Sequence, residues 1–581
     1  MIVRAQEPTF RELFTPKLIT TLREGYGLAD FKADFMSGLT VAIVALPLSM
    51  AIAIASGVTP DRGLYTAIAG GFVVSALGGS RFQIGGPAGA FIVLVAATVA
   101  QHGVDGLILA TFMAGIILLA IGFLQLGTFI KYIPYPVTIG FTAGIAVIII
   151  ASQIKDLLGL TLAHEPGPLL PKLKALAAAL PTANFSAVML ALLAITIIVI
   201  LRRVRPHWPN FVIAVGIAAF LTWLFALPVE TIGSRFGGIP CLLPAPHLPD
   251  LSIERIMTLL PSALSFALLG GIESLLSAVV ADSMTGRRHR SNCELVAQGA
   301  ANITSSLFGG ICVTGTIART ATNVRAGAHG PISGMVHSAC LLLFMLVAAP
   351  LASFIPLSAL AALLAVVAWN MAEKREFATL VRASFGDAIV LLSTFLLVVF
   401  RDLTEGILVG FGIGTLLFLH RMAQAVEIER AGPSVVEEDK PDERGRAPYD
   451  ADTATDPNVI VYRISGAFFF GAAATVAATL DSIGEHPKAY VIDFSAISIF
   501  DSTAAATIEG FVHKVRRRRA EVYIAGARPA VEQTLMTHGV CPPLVQFKST
   551  LNEALAAAHE NLPGSPRRQQ ALSGLRPNTQ V

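Results

Sequence analysis

SRFQIGGPAGAF (residues 80–91) and GGICVTGTIARTATN (residues 309–323) each open a short apolar segment and break it with glycine. Each is also the third apolar segment of its own half of the chain. Short, Gly- or Pro-broken segments at matching positions of two halves point to an inverted-repeat transporter, with a ligand held at the midplane between two half-helices. The plainer alternative is two whole helices with glycine at packing contacts.

Working outward, further apolar runs fall near 38–57, 64–79, 86–101, 105–126, 133–153, 185–201 and 210–227, then near 259–281, 293–308, 314–326, 333–349, 356–371, 385–400 and 404–420. A spanning helix needs about 20 mostly apolar residues, and the composition agrees: 54% hydrophobic and 14% charged, with a mean hydropathy of +0.68. The expected class is therefore an all-α polytopic membrane domain of 14 spans in a 7+7 inverted repeat, over residues 37–424 with repeats at about 37–228 and 257–424. Segments after even-numbered spans carry Arg81, Lys131, Arg202, Arg203, Arg205, Arg287, Arg288, Arg290, Lys374, Arg375 and Arg421. This bias puts both termini in the cytoplasm. Residues 1–36 are polar, with no apolar core beside a small-residue cleavage site, and read as a cytosolic lead-in rather than a signal peptide.

From about Val426 the chain turns polar, so 425–457 reads as a solvated linker. Strand-like runs at 458–470, 488–500 and 520–527 alternate with helical runs at 503–519 and 528–539, which argues a small cytosolic α/β domain over 458–561. Residues 562–581 read as a disordered tail. Asp501 or Ser502 should cap the helix that follows them, and no local triad supports a nucleophilic Ser502. Lys514 and Arg516 to Arg519 fit solvent, anionic lipid or the membrane portion itself better than nucleic acid. Five cysteines without paired spacing are read as small packing residues.

The chemistry concentrates in the broken segments. Glu273 is the only ionisable residue of LSFALLGGIESLLSAVV (264–280), and an acid within a span is a functional candidate by default. Its alternative role is a structural partner for a nearby Arg or backbone donor. Arg319 lies one turn into the tenth segment, where its guanidinium and two half-helix N-termini, each equivalent to about half a positive charge, would form an anion well. Its alternative is snorkelling to the cytosolic face. Backbone NH groups around Gly86, Ala88, Gly89, Gly315 and Thr316 would coordinate the anion, and Pro87 fits an early helix position, where a missing NH is harmless. Proton and anion binding would then favour each other, because a protonated Glu273 leaves the positive field free for a dianion.

These stretches resemble the SulP family of anion transporters, relatives of the vertebrate sulfate and chloride exchangers and of prestin. ALPLSMAIAIASGVTPDRGLYTAIAGG (45–71), the two broken segments, GGIESLLSAVVADSMTGRRHRSNCELVAQGAANI (270–303) and a C-terminal STAS domain carry the likeness, which covers nearly the whole chain. The resemblance implies core and gate domains and a homodimer with cytosolic STAS domains; separately, no cofactor or metal is expected. It also implies a substrate site built from Leu48 and Ser49, Gly86 to Ala90 (Gly86, Pro87, Ala88, Gly89, Ala90), Glu273, and Gly315 to Arg319 (Gly315, Thr316, Ile317, Ala318, Arg319). IESLLSAVVADSMTG, NCELVAQGAANI and LSALAALLAVVAWNMAE look most like the bacterial C4-dicarboxylate branch, which moves succinate, fumarate and aspartate with protons. The sodium-coupled bicarbonate branch differs, with Asp at the position of Glu273 and a hydroxyl residue at that of Ile317; both differences weaken a sodium site here. Ala88 stands where many relatives carry Thr, so that polar contact does not carry over.

The expected activity is thus proton-coupled symport of dicarboxylates across a bacterial inner membrane, with sulfate or bicarbonate as alternative substrates. A STAS-linked receptor and an anion channel remain as readings from other classes, and no motif supports an enzyme. The expected partners are a small inorganic or carboxylate anion, the proton, membrane lipid, a second copy of the chain and a cytosolic protein at the STAS domain.

Overall fold

The computed structural model describes residues 9–127, 134–162, 166–205, 208–431, 458–481 and 487–561. The chain forms two compact units, Met1–Gly414 and Thr415–Val581. Lys131, most of the expected linker (432–457) and the expected tail (562–581) lie outside the described residues.

In the first unit the chain runs through α1 (Leu28–Ala55), α2 (Pro60–Tyr65), a π turn at Thr66–Gly70, α3 (Gly71–Leu77), β1 (Gly85–Gly86), a 3-10 turn at Gly89–Phe91, α4 (Ile92–Phe123), α5 (Tyr135–Leu158), α6 (Phe185–Val204) and α7 (Asn210–Leu224). The second half gives α8 (Ile253–Thr285), α9 (Ser291–Leu307), β2 (Thr314–Gly315), α10 (Ile317–Arg325), α11 (Ile332–Ala352), α12 (Leu357–Met371), α13 (Phe385–Phe400) and α14 (Leu403–Gln424). Every expected apolar segment has a helical counterpart. Eight helical stretches of the described residues are long and apolar enough to cross a membrane by themselves, and α7 and α13 are shorter apolar helices. The third and fourth expected segments form the single run α4, broken where Gly103 adopts φ 70°, ψ −175°.

Two helix sets form this unit. One comprises α1 to α4 and α8 to α11, the other α5 to α7 with α12 and α13, and α1 meets the second set through α7 and α12. This is the expected division into core and gate. In the first set α4 and α9 approach closely because Gly115 and Gly299 face one another; a Cβ on either would lie 2.7 Å from the other's carbonyl oxygen.

The second broken segment is too short to cross a membrane by itself. At 1.5 Å per residue α10 spans about 14 Å, about half of a 30 Å hydrocarbon layer. Non-helical backbone at that depth survives only if its polar groups are paired inside the protein. They are: β1 and β2 pair antiparallel, Gly85 opposite Gly315 and Gly86 opposite Thr314, and the Thr316 NH donates to the Ile84 carbonyl at 3.0 Å. Just ahead of β2, Asn302 takes both polar groups of Val313, donating to its carbonyl at 2.8 Å and accepting from its NH at 3.0 Å. Pro87 departs from expectation: it lies in the extended stretch before the 3-10 turn, with Ala88 at φ −113°, ψ 146°, because β1 pairing holds the backbone extended past the glycines.

The second unit is an α/β domain. Its sheet runs β3 (Glu427–Ala431), β4 (Val459–Phe468), β5 (Ala489–Asp493), β7 (Glu521–Ala525) and β8 (Gln546–Lys548) in spatial order, with β6 (Ile497–Phe500) also on β4. Only β3 pairs antiparallel. Helices α15 (Ala473–Asp481), α16 (Ser502–Arg517), α17 (Pro529–Thr537) and α18 (Leu551–Asn561) complete it. Every residue of β5 is buried, as a parallel strand with both faces covered requires. The start of the expected linker is instead the edge strand β3, and the single strand expected over 488–500 is two, separated by a turn. Asp501 is the cap of α16, accepting from the Ala504 NH at 2.8 Å.

Asn302→Ala leaves the NH and carbonyl of Val313 unpaired in the membrane interior, at about 1–3 kcal/mol each. A thermal-unfolding scan of the detergent-solubilised full chain should show a clearly lower midpoint for this variant than for Thr304→Ala on the same helix, where the lost hydroxyl bonds only the Ala300 carbonyl of its own helix.

Candidate anion-binding site

Arg319 enters the first turn of α10, and its side chain is 2% exposed. It does not snorkel. Its Nη2 donates to Ser49 Oγ of α1 at 3.1 Å and to the Pro87 carbonyl at 3.3 Å, while Nε and Nη1 are buried without a hydrogen-bond partner. Ser49 accepts this bond while its own hydroxyl donates to the Ala45 carbonyl at 2.8 Å, so its orientation is fixed from behind.

Glycine makes room for the guanidinium. A Cβ on Gly86 would sit 2.0 Å from Arg319 Nη1, and one on Gly315 would sit 1.6 Å from Gln83 Nε2. Gln83 Nε2 donates to Ser274 Oγ at 2.7 Å, and the Thr320 hydroxyl accepts from Ser277 at 3.0 Å and from the Ile84 NH at 3.2 Å. These bonds tie the strand pair to α8. At the starts of the two half-helices neither Ala88 nor Thr316 supplies a side-chain cap, leaving first-turn NH groups for an anion.

Of the residues singled out from sequence, Ser49, Gly86, Pro87 and Arg319 converge directly. Leu48, Ala88, Ala90, Gly315 and Thr316 are buried beside them, Gly89 is partly buried, and Ile317 and Ala318 are exposed. Glu273 lies on α8 next to Ser274, partly buried, its Oε2 enclosed without a partner. No hydrogen bond or ion pair joins it to Arg319 among the described residues, so it is not that arginine's structural partner. Helix α1 divides two environments: Ser49 meets Arg319, whereas Leu46, Pro47 and Met50 wall an apolar cavity of about 700 Å³.

Sequence reading missed three polar groups. Gln83 went unremarked within its motif. Glu294 on α9 is fully buried and accepts from the Ser80 NH at 3.0 Å and from Gln298 Nε2 at 2.9 Å. His337 on α11 is fully buried, with neither ring nitrogen hydrogen-bonded, within electrostatic reach of Arg319. A lone His in a span carries the same signal that marked Glu273.

Residues 31–394 match the sulfate permease family and residues 450–554 match the STAS domain. The Bacillus subtilis protein named "Putative sulfate transporter YvdB" is 38% identical over 521 residues, covering 89% of this chain and 95% of the relative. The bicarbonate transporter BicA of Synechocystis is 30% identical over 526 residues, covering 87% and 90%. The murine Slc26a9 anion transporter in its inward-facing state superimposes with a TM-score of 0.83 at 18% identity, over 97% of this chain and 96% of that one; this likeness establishes the fold.

Gly86→Ala should push the guanidinium off Ser49 and raise the oxyanion concentration needed for half-maximal thermal stabilisation by about tenfold or more. Gly216→Ala on α7, where an added Cβ would meet nothing within 4 Å, should stay close to the parent protein in the same titration.

Proposed function

This chain belongs to the sulfate permease family, and from that premise we propose that it is a secondary transporter carrying a small inorganic oxyanion, sulfate first, by alternating access. The observation that carries the reading is the sealed Arg319 guanidinium, with two nitrogens unpartnered and two uncapped half-helix starts beside it. Their summed field is about +2: one full charge plus about half a charge from each helix end. That matches a dianion when Glu273 is neutral. With Glu273 ionised the sum falls to about +1, which matches bicarbonate, and this makes bicarbonate the second reading. The relatives' names support the same pair of anions. The likeness to the C4-dicarboxylate branch has no support among them, so the substrate is read as inorganic rather than as succinate, fumarate or aspartate.

In this reading Glu273 carries the coupled proton. Its carboxyl lies in the same helix as Ser274 and Ser277, which tie α8 to the strand pair, so a change of its charge acts on the anion's surroundings without contact to Arg319. The chain works in a bacterial inner membrane with both termini cytoplasmic, as a homodimer.

Full-length protein in proteoliposomes should accumulate labelled sulfate when the outside is acidified, with bicarbonate competing and succinate not. Glu273→Gln should remove the stimulation by the pH gradient while sulfate exchange across equal concentrations persists. Sulfate accumulation in that variant that still follows the pH gradient would contradict the coupling role, and uptake of succinate in preference to sulfate would contradict the substrate.

A further inference from the structure

A second cavity, of about 740 Å³, lies among α5, α6 and α12, away from the anion site. Its walls are apolar along Ile150, Ile195, Val199 and Val366, and at one end stand Arg202 and Arg203. These two arginines close α6 on the face where the Lys and Arg surplus falls, and both are exposed. Neither makes a hydrogen bond or ion pair among the described residues. Trp369 also lines the cavity and is 61% exposed; Lys374 holds its ammonium 4.2 Å from the centroid of that indole ring and donates to the Trp369 carbonyl. No acidic side chain lines the cavity.

The arrangement is amphiphilic in one direction only. A water-soluble anion would gain from the two arginines but nothing from the aliphatic walls, and an uncharged lipid tail would gain from the walls but leave the arginines unused. Basic pockets between spans on the cytosolic side fit acidic lipid headgroups, and an indole at the boundary fits the zone between headgroup and chain. We propose that this pocket binds an anionic phospholipid, its phosphate held by Arg202 and Arg203 and its acyl chains laid along Ile195, Val199 and Val366.

Native mass spectrometry of the full-length protein in a neutral detergent tests this, with phosphatidylglycerol or phosphatidylcholine of the same acyl chains added. The parent protein should retain phosphatidylglycerol preferentially. Arg202→Gln/Arg203→Gln should weaken that retention by about tenfold and leave phosphatidylcholine unchanged, which also reports that the variant is folded. Trp369→Ala should weaken phosphatidylglycerol retention too, and Arg288→Gln/Arg325→Gln, with the same loss of charge elsewhere, should retain it. Equal retention of both lipids by the parent protein, parent-like retention by the Arg202/Arg203 variant, or an equal loss in the Arg288/Arg325 variant would each overturn the proposal.

Discussion

A guanidinium closed inside a membrane domain is the constraint around which the rest is arranged. Taking a charge out of water costs several kcal/mol unless partners replace its hydration, and Arg319 has only Ser49 and the Pro87 carbonyl. The side chain occupies the space a Cβ of Gly86 would take, so that position is glycine, and the backbone around it is extended rather than helical. Broken backbone in a membrane must then find its hydrogen bonds elsewhere, and the two-residue strands, Asn302 and Thr316 supply them. The buried cation thus accounts for glycine at the first interruption, and the Gln83 amide for glycine at the second, more than two hundred residues away in sequence.

The site belongs to the first helix set, yet the second reaches it. A Cβ on Gly89 would touch Met371 Sδ at 3.5 Å and Ile149 Cδ1 at 3.7 Å, from α12 and α5. Side chains of the second set therefore stand over the start of the third segment, where sliding of one set against the other would open or cover the anion. The proposed phospholipid pocket is formed by the same α5, α6 and α12, so a lipid bound there would brace the second set without contact to the substrate.

Hydropathy made the membrane class, the apolar segments and the two-halved plan legible, because spans are long and their composition is extreme. The glycine breaks marked the candidate site, and an arginine in an apolar setting marked its charge. Register at the break was not legible: Pro87 looks like a helix start until the strand pairing, a contact between distant segments, is known. Gln83 and Glu294 were hidden for a related reason, since each matters through partners on other helices rather than through its neighbours in sequence. His337 was readable by the rule that singled out Glu273. In the STAS unit, β3 escaped notice because three of its five residues are charged, and the turn between β5 and β6 because Phe494 and Ala496 carry the apolar run across it.

The account rests on the anion lying between Arg319 and the two half-helix starts. The most direct test is a structure of the full-length protein with selenate, located by its anomalous signal. Density within about 4 Å of the Arg319 guanidinium, in line with a charge-assisted hydrogen bond, and close to the backbone at Gly89 and Ile317, is the expected result. Selenate bound at saturation elsewhere, with Arg319 still turned only to Ser49 and Pro87, would contradict it.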